Sequence, residues 1–425
     1  MTTEKASPAS GSILVVGGGI SGLTTTLEAA EVGNEVFMVE KNPYLGGRVA
    51  QLNQYFPKLC PPTCGLEINF RRIKDNPRIK IFTLAEVEKV SGSPGEYDVS
   101  LKLYPRYVNE NCTGCGECAK VCETEIDSDF DFGMKKIKGA YQPFEMAFPA
   151  RYVLSPQIIG TEDADRCKEA CQYDAVDLSM ETKTIDLQVG AIVWATGWEP
   201  YDATKIDNLG FGQYQNIVTN MMLERLAAPN GPTKGSITRP SDNKEIESIA
   251  FVQCAGSRDE NHLPYCSYIC CMASLKQATY IRERYPEAKI YIFYIDLRAP
   301  GYRYEQFYKK IKEDENVFFI KGKVAEVSED PDSKNITVVA ENAVTGEKIH
   351  QMVEMVVLAT GMQPTAANAK LPADLTYNED GFIINDFEKG GMFAAGCANK
   401  PADVVSTNQN ATGMALKAIQ TLMKR

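Results

Sequence analysis

The stretch Ile13-Leu14-Val15-Val16-Gly17-Gly18-Gly19-Ile20-Ser21-Gly22 runs an apolar segment of strand length into a glycine-rich turn. Gly17, Gly19 and Gly22 occupy the positions of a G-x-G-x-x-G pattern. There the first glycine makes a tight turn, the second lets backbone approach a pyrophosphate, and the third lets the following helix pack on the strand. The helix is expected over 23–32, with its unpaired N–H groups and positive dipole end facing the phosphates, and Gly33 stops it. A second apolar strand over 36–39 leads to Glu40, 18 residues after Gly22, where a carboxylate can hold a ribose hydroxyl. Lys41 beside it joins the candidate cofactor-binding set.

Three further segments favour FAD over NAD. Gly46-Gly47-Arg48 follows Glu40 closely, Ala195-Thr196-Gly197 ends a strand expected over 190–194, and Gly391-Met392-Phe393-Ala394-Ala395-Gly396 precedes a last helix. This arrangement resembles flavoproteins with two dinucleotide-binding domains, in which the last segment returns to cover the flavin. The expected fold class is therefore α/β, thioredoxin/glutathione reductase-like, with an inserted ferredoxin-like domain. Candidate cofactor-binding residues are Gly17, Gly19, Gly22, Glu40, Lys41, Gly47, Arg48, Thr196, Gly197, Gly396 and Cys397. Cys397 stands where that superfamily carries an aspartate for the ribityl chain.

At 425 residues the chain has room for two or three domains, and its hydrophobic and charged fractions are those of a soluble globular protein. A net charge of -11 argues against nucleic acid and against a polybasic contact with anionic lipid. Residues 1–10 read as a flexible tail, without the basic start and apolar run of a signal peptide. No apolar run has bilayer-spanning length, so membrane association is expected only through a partner.

Thirteen cysteines against two histidines point to thiolate-only sites, iron–sulfur or zinc, in a reducing compartment. Cys112-Thr113-Gly114-Cys115-Gly116-Glu117-Cys118-Ala119-Lys120-Val121-Cys122 is the C-x2-C-x2-C-x3-C run of bacterial-type ferredoxins, with Glu123 in place of the usual proline. Cys167 and Cys171 match the end of a second run whose two other ligand positions are Ala164 and Thr161, neither of which binds iron. Because the fourth cysteine of each run serves the other cluster, Cys112, Cys115, Cys118 and Cys171 should hold one [4Fe-4S] cluster, with Cys122 and Cys167 left over. Upstream, Cys60-Pro61-Pro62-Thr63-Cys64 reads as a C-x3-C loop: a redox or cluster-ligating pair, or two loop thiols.

The expected organisation is a first flavin-domain part over 11–105, the insert over 106–185, a second flavin part over 186–200, an NAD(P)H-domain-like fold over 201–365 and the last flavin part over 366–425. In the middle domain a strand over 248–253 runs into Cys254-Ala255-Gly256-Ser257-Arg258, where the third glycine of a nucleotide fingerprint is missing. Cys254, Cys266, Cys270 and Cys271 gather instead near a helix expected over 272–285; four thiolates there hold a second cluster or are buried thiols. His262 reads as a loop residue.

Gln253-Cys254-Ala255-Gly256-Ser257-Arg258 and Tyr265-Cys266-Ser267-Tyr268-Ile269-Cys270-Cys271, taken with the flavin fingerprint and the insert, resemble the A subunits of heterodisulfide reductases. The short single-flavin form is similar to the A subunits of quinone-interacting membrane-bound oxidoreductases. The resemblance implies FAD and two [4Fe-4S] clusters. It makes Cys254, Cys266, Cys270 and Cys271 ligands of an atypical cluster and puts Lys276 near the reactive edge of the flavin as a catalytic cation. It also relates the cysteines after Phe56-Pro57 to a cysteine-bearing family segment. The implied partners are a second flavin and iron–sulfur subunit, a haem-bearing membrane subunit using menaquinone, and adenylylsulfate reductase, at the inner face of the cytoplasmic membrane. A flavin-bifurcating heterodisulfide-reductase-type complex and an NAD(P)H-dependent disulfide reductase using Cys60 and Cys64 are the alternatives.

Overall fold

The computed structural model describes residues 11–56 and 58–423. The expected tail over 1–10, and Pro57 of the Phe56-Pro57 pair, lie outside the described residues.

Strand Ser12–Val16 is buried on both faces, as an apolar run in the middle of a parallel sheet must be. Leu14 and Val16 enter one core cluster, Ile13 and Val15 another. The sheet order is Met392–Ala394, Ala191–Trp194, Ser12–Val16, Glu35–Glu40 and Ile79–Thr83, all parallel. Helix Ile20–Glu31, three residues earlier than the apolar periodicity suggests, packs against the C-terminal helix Val404–Met423, where Thr24 Oγ1 lies 3.2 Å from Asn408 Oδ1. The last segment of the chain thus closes the first sheet.

An antiparallel layer of Ala85–Ser93, Glu96–Leu103 and Lys183–Val189 covers one face of this sheet. Leu103 pairs with Lys183, so residues 104–182 leave and re-enter at adjacent points without disturbing the layer. The return strand therefore starts at Lys183, and 183–185, which the sequence assigns to the insert, belong to the flavin module. Within the insert, two short helices, Glu117–Val121 and Glu162–Glu169, and two short antiparallel pairs surround a core of Val108, Leu154, Ile158, Val176 and the buried Cys118, Cys122 and Cys167.

The second module repeats the parallel design with strands in the order Ile217–Thr219, Met355–Thr360, Ser248–Ala255, Lys289–Tyr294 and Val317–Lys321. It joins the first through the antiparallel pair Trp198–Pro200 and Met362–Pro364. Helix Asn220–Ala227 makes the other connection. Its Glu224 is 1% exposed and accepts from Asn53 N–H (2.9 Å), Gln277 Nε2 (2.7 Å), Tyr280 OH (3.2 Å) and Lys276 Nζ (2.9 Å). A buried carboxylate is tolerated when its lone pairs are filled in this way. The next residue, Arg225, donates through Nε to Asp131 Oδ1 of the insert (2.9 Å) and through Nη2 to Asn230 Oδ1 (2.9 Å), with its guanidinium 4.6 Å from the centre of the Phe130 ring. Phe130 stacks on Phe144, and Tyr44 of the flavin module meets both rings edge-on.

Removing one member of a buried ion pair strands the other. Asp131→Ala is expected to cost about 3–5 kcal/mol, whereas Asp131→Leu combined with Arg225→Met recovers most of that loss, as denaturant midpoints of the three proteins will measure.

Candidate functional site

Gly17 ends the first strand at φ +110°, and its N–H donates to Val39 O (2.7 Å), tying the turn to the second strand. A Cβ on Gly17 would overlap the Ala195 carbonyl, and one on Gly22 would overlap the Gly17 carbonyl. Those two positions are closed to any side chain by backbone contact. The buried Glu40 carboxylate latches the turn: Oε2 accepts from Gly18 N–H (2.6 Å), and Oε1 accepts from the Asn42 backbone and side-chain amides, both at 2.8 Å. Burial pushes its pKa up, against the lowering effect of the hydrogen bonds from Asn42 and Gly18. Glu40 is thus a structural latch as well as a cavity residue, a role the ribose reading does not include.

Around this turn lies a cavity of about 930 Å³, lined by Gly17, Gly19, Glu40, Lys41, Gly47, Arg48, Thr196, Gly197 and Cys397. Its volume lies in the range of cofactor sites, and the amino end of helix Ile20–Glu31, with no side-chain cap, opens into it. Thr196 Oγ1 is buried there without a protein partner, as the wall of a polar ligand's site would be. These features fit FAD. Two candidates from the sequence are not on the wall: Gly22 serves the helix–strand contact, and Gly396, at φ +63°, sits against Ser21. Arg48 is held by Nε to Trp198 O (3.3 Å) and Nη1 to Gln51 Oε1 (3.1 Å). Asp129 and Phe132 of the insert also line the cavity, and nothing in their local sequence signals it.

A smaller chamber of about 120 Å³ shares Arg48, Val49, Trp198 and 402–404 with the cavity and is otherwise lined largely by apolar groups, among them Phe56, Met272 and Tyr304. Lys276 lies on its wall. The ammonium is 4% exposed, donates to Gln54 O (2.6 Å) and is paired with Glu224 at 2.9 Å. It sits beside the flavin cavity as a neutralised pair, not as the lone cation of the sequence reading.

Cys112, Cys115, Cys118 and Cys171 line one small cavity together with Tyr152 and Tyr173. Ala175 N–H donates to Cys171 Sγ (3.3 Å), while the buried Cys167 Sγ donates to the Cys118 carbonyl (3.3 Å). Ala164 is fully buried, and Thr161 stands at the amino end of helix Glu162–Glu169. Desolvation, with neighbouring thiols adding to it, pushes the Cys118 pKa up to about 12.

The other four cysteines converge where strand Ser248–Ala255 ends and helix Cys270–Arg284 begins. Cys270 and Cys271 form the first turn of that helix, which starts two residues earlier than the sequence suggests. Cys254 adopts φ +59°, and its thiol interacts electrostatically with Cys266, Cys271 and the Arg258 guanidinium. Burial, with Cys271 the next cause, raises the Cys254 pKa to about 11, and Cys270 is pushed well above the ordinary thiol value. Four thiols packed this closely resist ionisation unless a metal supplies the compensating charge. Among the described residues no three such ligands converge on a single-ion position, whereas a four-iron cluster takes one thiolate on each iron.

The remaining motifs separate from these sites. Cys64 lies in the first turn of helix Pro62–Lys74, so the supposed loop is half helix; Cys60 is half-buried and Cys64 exposed, both beside Tyr55. His262 Nδ1 is 3.0 Å from Tyr201 OH. That tyrosine ring packs against Gly256, where a Cβ would overlap it.

The FAD dependent oxidoreductase family matches residues 12–58. The chain is 39% identical to the iron-sulfur A subunit of a CoB–CoM heterodisulfide reductase from Methanopyrus kandleri, over 96% of this chain and 64% of that one. It is 38% identical to the corresponding subunit of Methanocaldococcus jannaschii, over 95% and 63%. It therefore spans a little under two thirds of the length of these relatives. Thioredoxin reductase of Lactococcus lactis shares the fold, with a TM-score of 0.54 at 13% identity, covering 98% of this chain and 100% of that one.

Gly22→Ala forces the turn apart and is expected to weaken FAD binding by about 1–3 kcal/mol, roughly 5- to 150-fold, in titrations of deflavinated protein. Cys171→Ala should remove about four irons per chain, while Cys167→Ala leaves the iron content unchanged, by metal analysis of anaerobically prepared protein.

Proposed function

We propose that this chain is an FAD and iron–sulfur electron-transfer subunit of the heterodisulfide reductase A-subunit kind, working inside a multisubunit complex. The observation that carries this reading is the common wall: both thiol sets belong to modules that line the flavin cavity or its neighbouring chamber. The insert bearing Cys112, Cys115, Cys118 and Cys171 contributes Asp129 and Phe132 to the cavity. The helix that opens with Cys270 and Cys271 contributes Met272, Ala273 and Lys276 to the chamber.

FAD supplies an exchange between two-electron and one-electron transfer, and four-iron clusters carry single electrons. The protein's own part is positioning. Gly17 and Gly19 admit a pyrophosphate to the helix amino end, Glu40 holds the turn, Arg48 sits at the junction of cavity and chamber with Lys276 on the chamber wall, and the eight cysteines of the two sets would give metal its thiolates. The names of the relatives favour a heterodisulfide-reductase-type complex, including a flavin-bifurcating one, as the setting.

A quinone-linked form of the same relay rests on the resemblance of the sequence. It would add a second flavin and iron–sulfur subunit, a haem-bearing membrane subunit using menaquinone, and adenylylsulfate reductase. No helix among the described residues is long and apolar enough to cross a membrane, so a partner would supply that contact. Reduction of the complex by a menaquinol analogue, against reduction coupled to a heterodisulfide, distinguishes the two settings.

Anaerobically purified protein is expected to hold about eight irons per chain. NADH or NADPH alone should leave its flavin absorbance unchanged, because the strand end that would open a second glycine fingerprint carries Cys254-Ala255-Gly256-Ser257-Arg258 and lacks the third glycine. Rapid bleaching in a stopped-flow mixture would instead support an NAD(P)H-dependent disulfide reductase.

A further inference from the structure

Strand Ser248–Ala255 alternates up to Val252, after which its pairing with strand Met355–Thr360 slips by one residue. Ile249 and Phe251 face the core shared with Met272, Leu275 and Ala278 of helix Cys270–Arg284, while Ala250 and Val252 face the opposite cluster. Gln253 stands at this irregular end of the strand and directly precedes Cys254, the first thiol of the set. It is 5% exposed, and neither its Nε2 nor its Oε1 has a hydrogen-bond partner. Whichever way the amide is turned, N–H donors remain unused.

Ser274 is the second such group. It is fully buried, its hydroxyl is also unpartnered, and it lies four residues after Cys270 and three after Cys271, on the same helix face. Side chains in a helix lean toward its amino end, so this hydroxyl leans toward the two thiols. Buried polar groups are rarely left unsatisfied, and two of them flanking one set of four cysteines indicate a missing acceptor.

We propose that Gln253 and Ser274 donate hydrogen bonds to the sulfurs of the group held by Cys254, Cys266, Cys270 and Cys271, and thereby raise its reduction potential. This rests on reading those cysteines as an iron–sulfur site. Donors to sulfur stabilise the reduced state, which carries one more negative charge, and the positive charge of Arg258 near Cys254 acts in the same direction. The ferredoxin-type site has a different setting, between Val108, Tyr152, Tyr173 and Val176. Gln253 and Ser274 are positioning residues, and the quantity they set is a potential.

The test is an EPR-monitored redox titration of the anaerobic complex, with iron analysis of each preparation. Gln253→Leu should keep its iron while the reduction equilibrium of this cluster falls about tenfold, a shift of about 59 mV for one electron. Ser274→Ala should shift it the same way by less, and the cluster lost in Cys171→Ala should not move in either variant. Unchanged potentials in iron-replete Gln253→Leu and Ser274→Ala overturn the proposal. If Gln253→Leu fails to fold, Ser274→Ala decides alone: a lowered potential sustains the proposal, and an unchanged one overturns it. Failure of the underlying reading has a separate signature, in which Cys254→Ala leaves iron content and spectra as they were, and that result removes the proposal too.

Discussion

Two adjacent buried charges, Glu224 and Arg225, hold this molecule together. Helix Asn220–Ala227 presents Glu224 to Asn53 of the flavin module and to Lys276, Gln277 and Tyr280 of the second module. Arg225 reaches Asp131 and Phe130 in the insert. Burying either charge without its partners is costly, so the two together are stable only when all three modules are docked. The cavity walls drawn from Arg48, Phe132, Trp198 and Lys276 depend on that docking.

The same balance operates at both thiol sets. Desolvation raises the pKa of Cys118 and Cys254, and neighbouring thiols raise it further, so a protein that only needed packing would gain from apolar residues there. Cysteines kept there, together with the unpartnered Gln253, fit the proposed iron–sulfur groups, which take both thiolates and hydrogen bonds. Cys167 shows the contrast. In a run that lacks its other ligands, with Ala164 and Thr161 in their places, it is a core residue that hydrogen-bonds the backbone of Cys118.

Local patterns were readable where the physics is local. Gly17 and Gly22 are dictated by close backbone contacts around one turn, and the spacing of Cys112, Cys115 and Cys118 by a loop that wraps one small object. Element ends were less so: helix Cys270–Arg284 begins before its apolar periodicity does, because two buried thiols occupy its first turn. Glu224 and Arg225, and Asp129 and Phe132 of the insert, belong to no motif that marks their roles. Asn53 lies 171 positions from Glu224, and Asp131 lies 94 positions from Arg225, so no local pattern could announce either contact.

What the sequence alone determined is the chemistry on offer: a glycine cradle for a dinucleotide, two sets of four thiols, and an insert placed between two strands. Only the tertiary structure decided how these meet. It gave Glu40 to the turn as a latch, paired Lys276 with Glu224, packed Tyr201 against Gly256, and left Gln253 and Ser274 buried with nothing to bond. The reason is that hydrogen-bond partners and burial are properties of packed surfaces. Residue type and spacing limit which contacts a side chain can make, and the docking of distant segments selects among them.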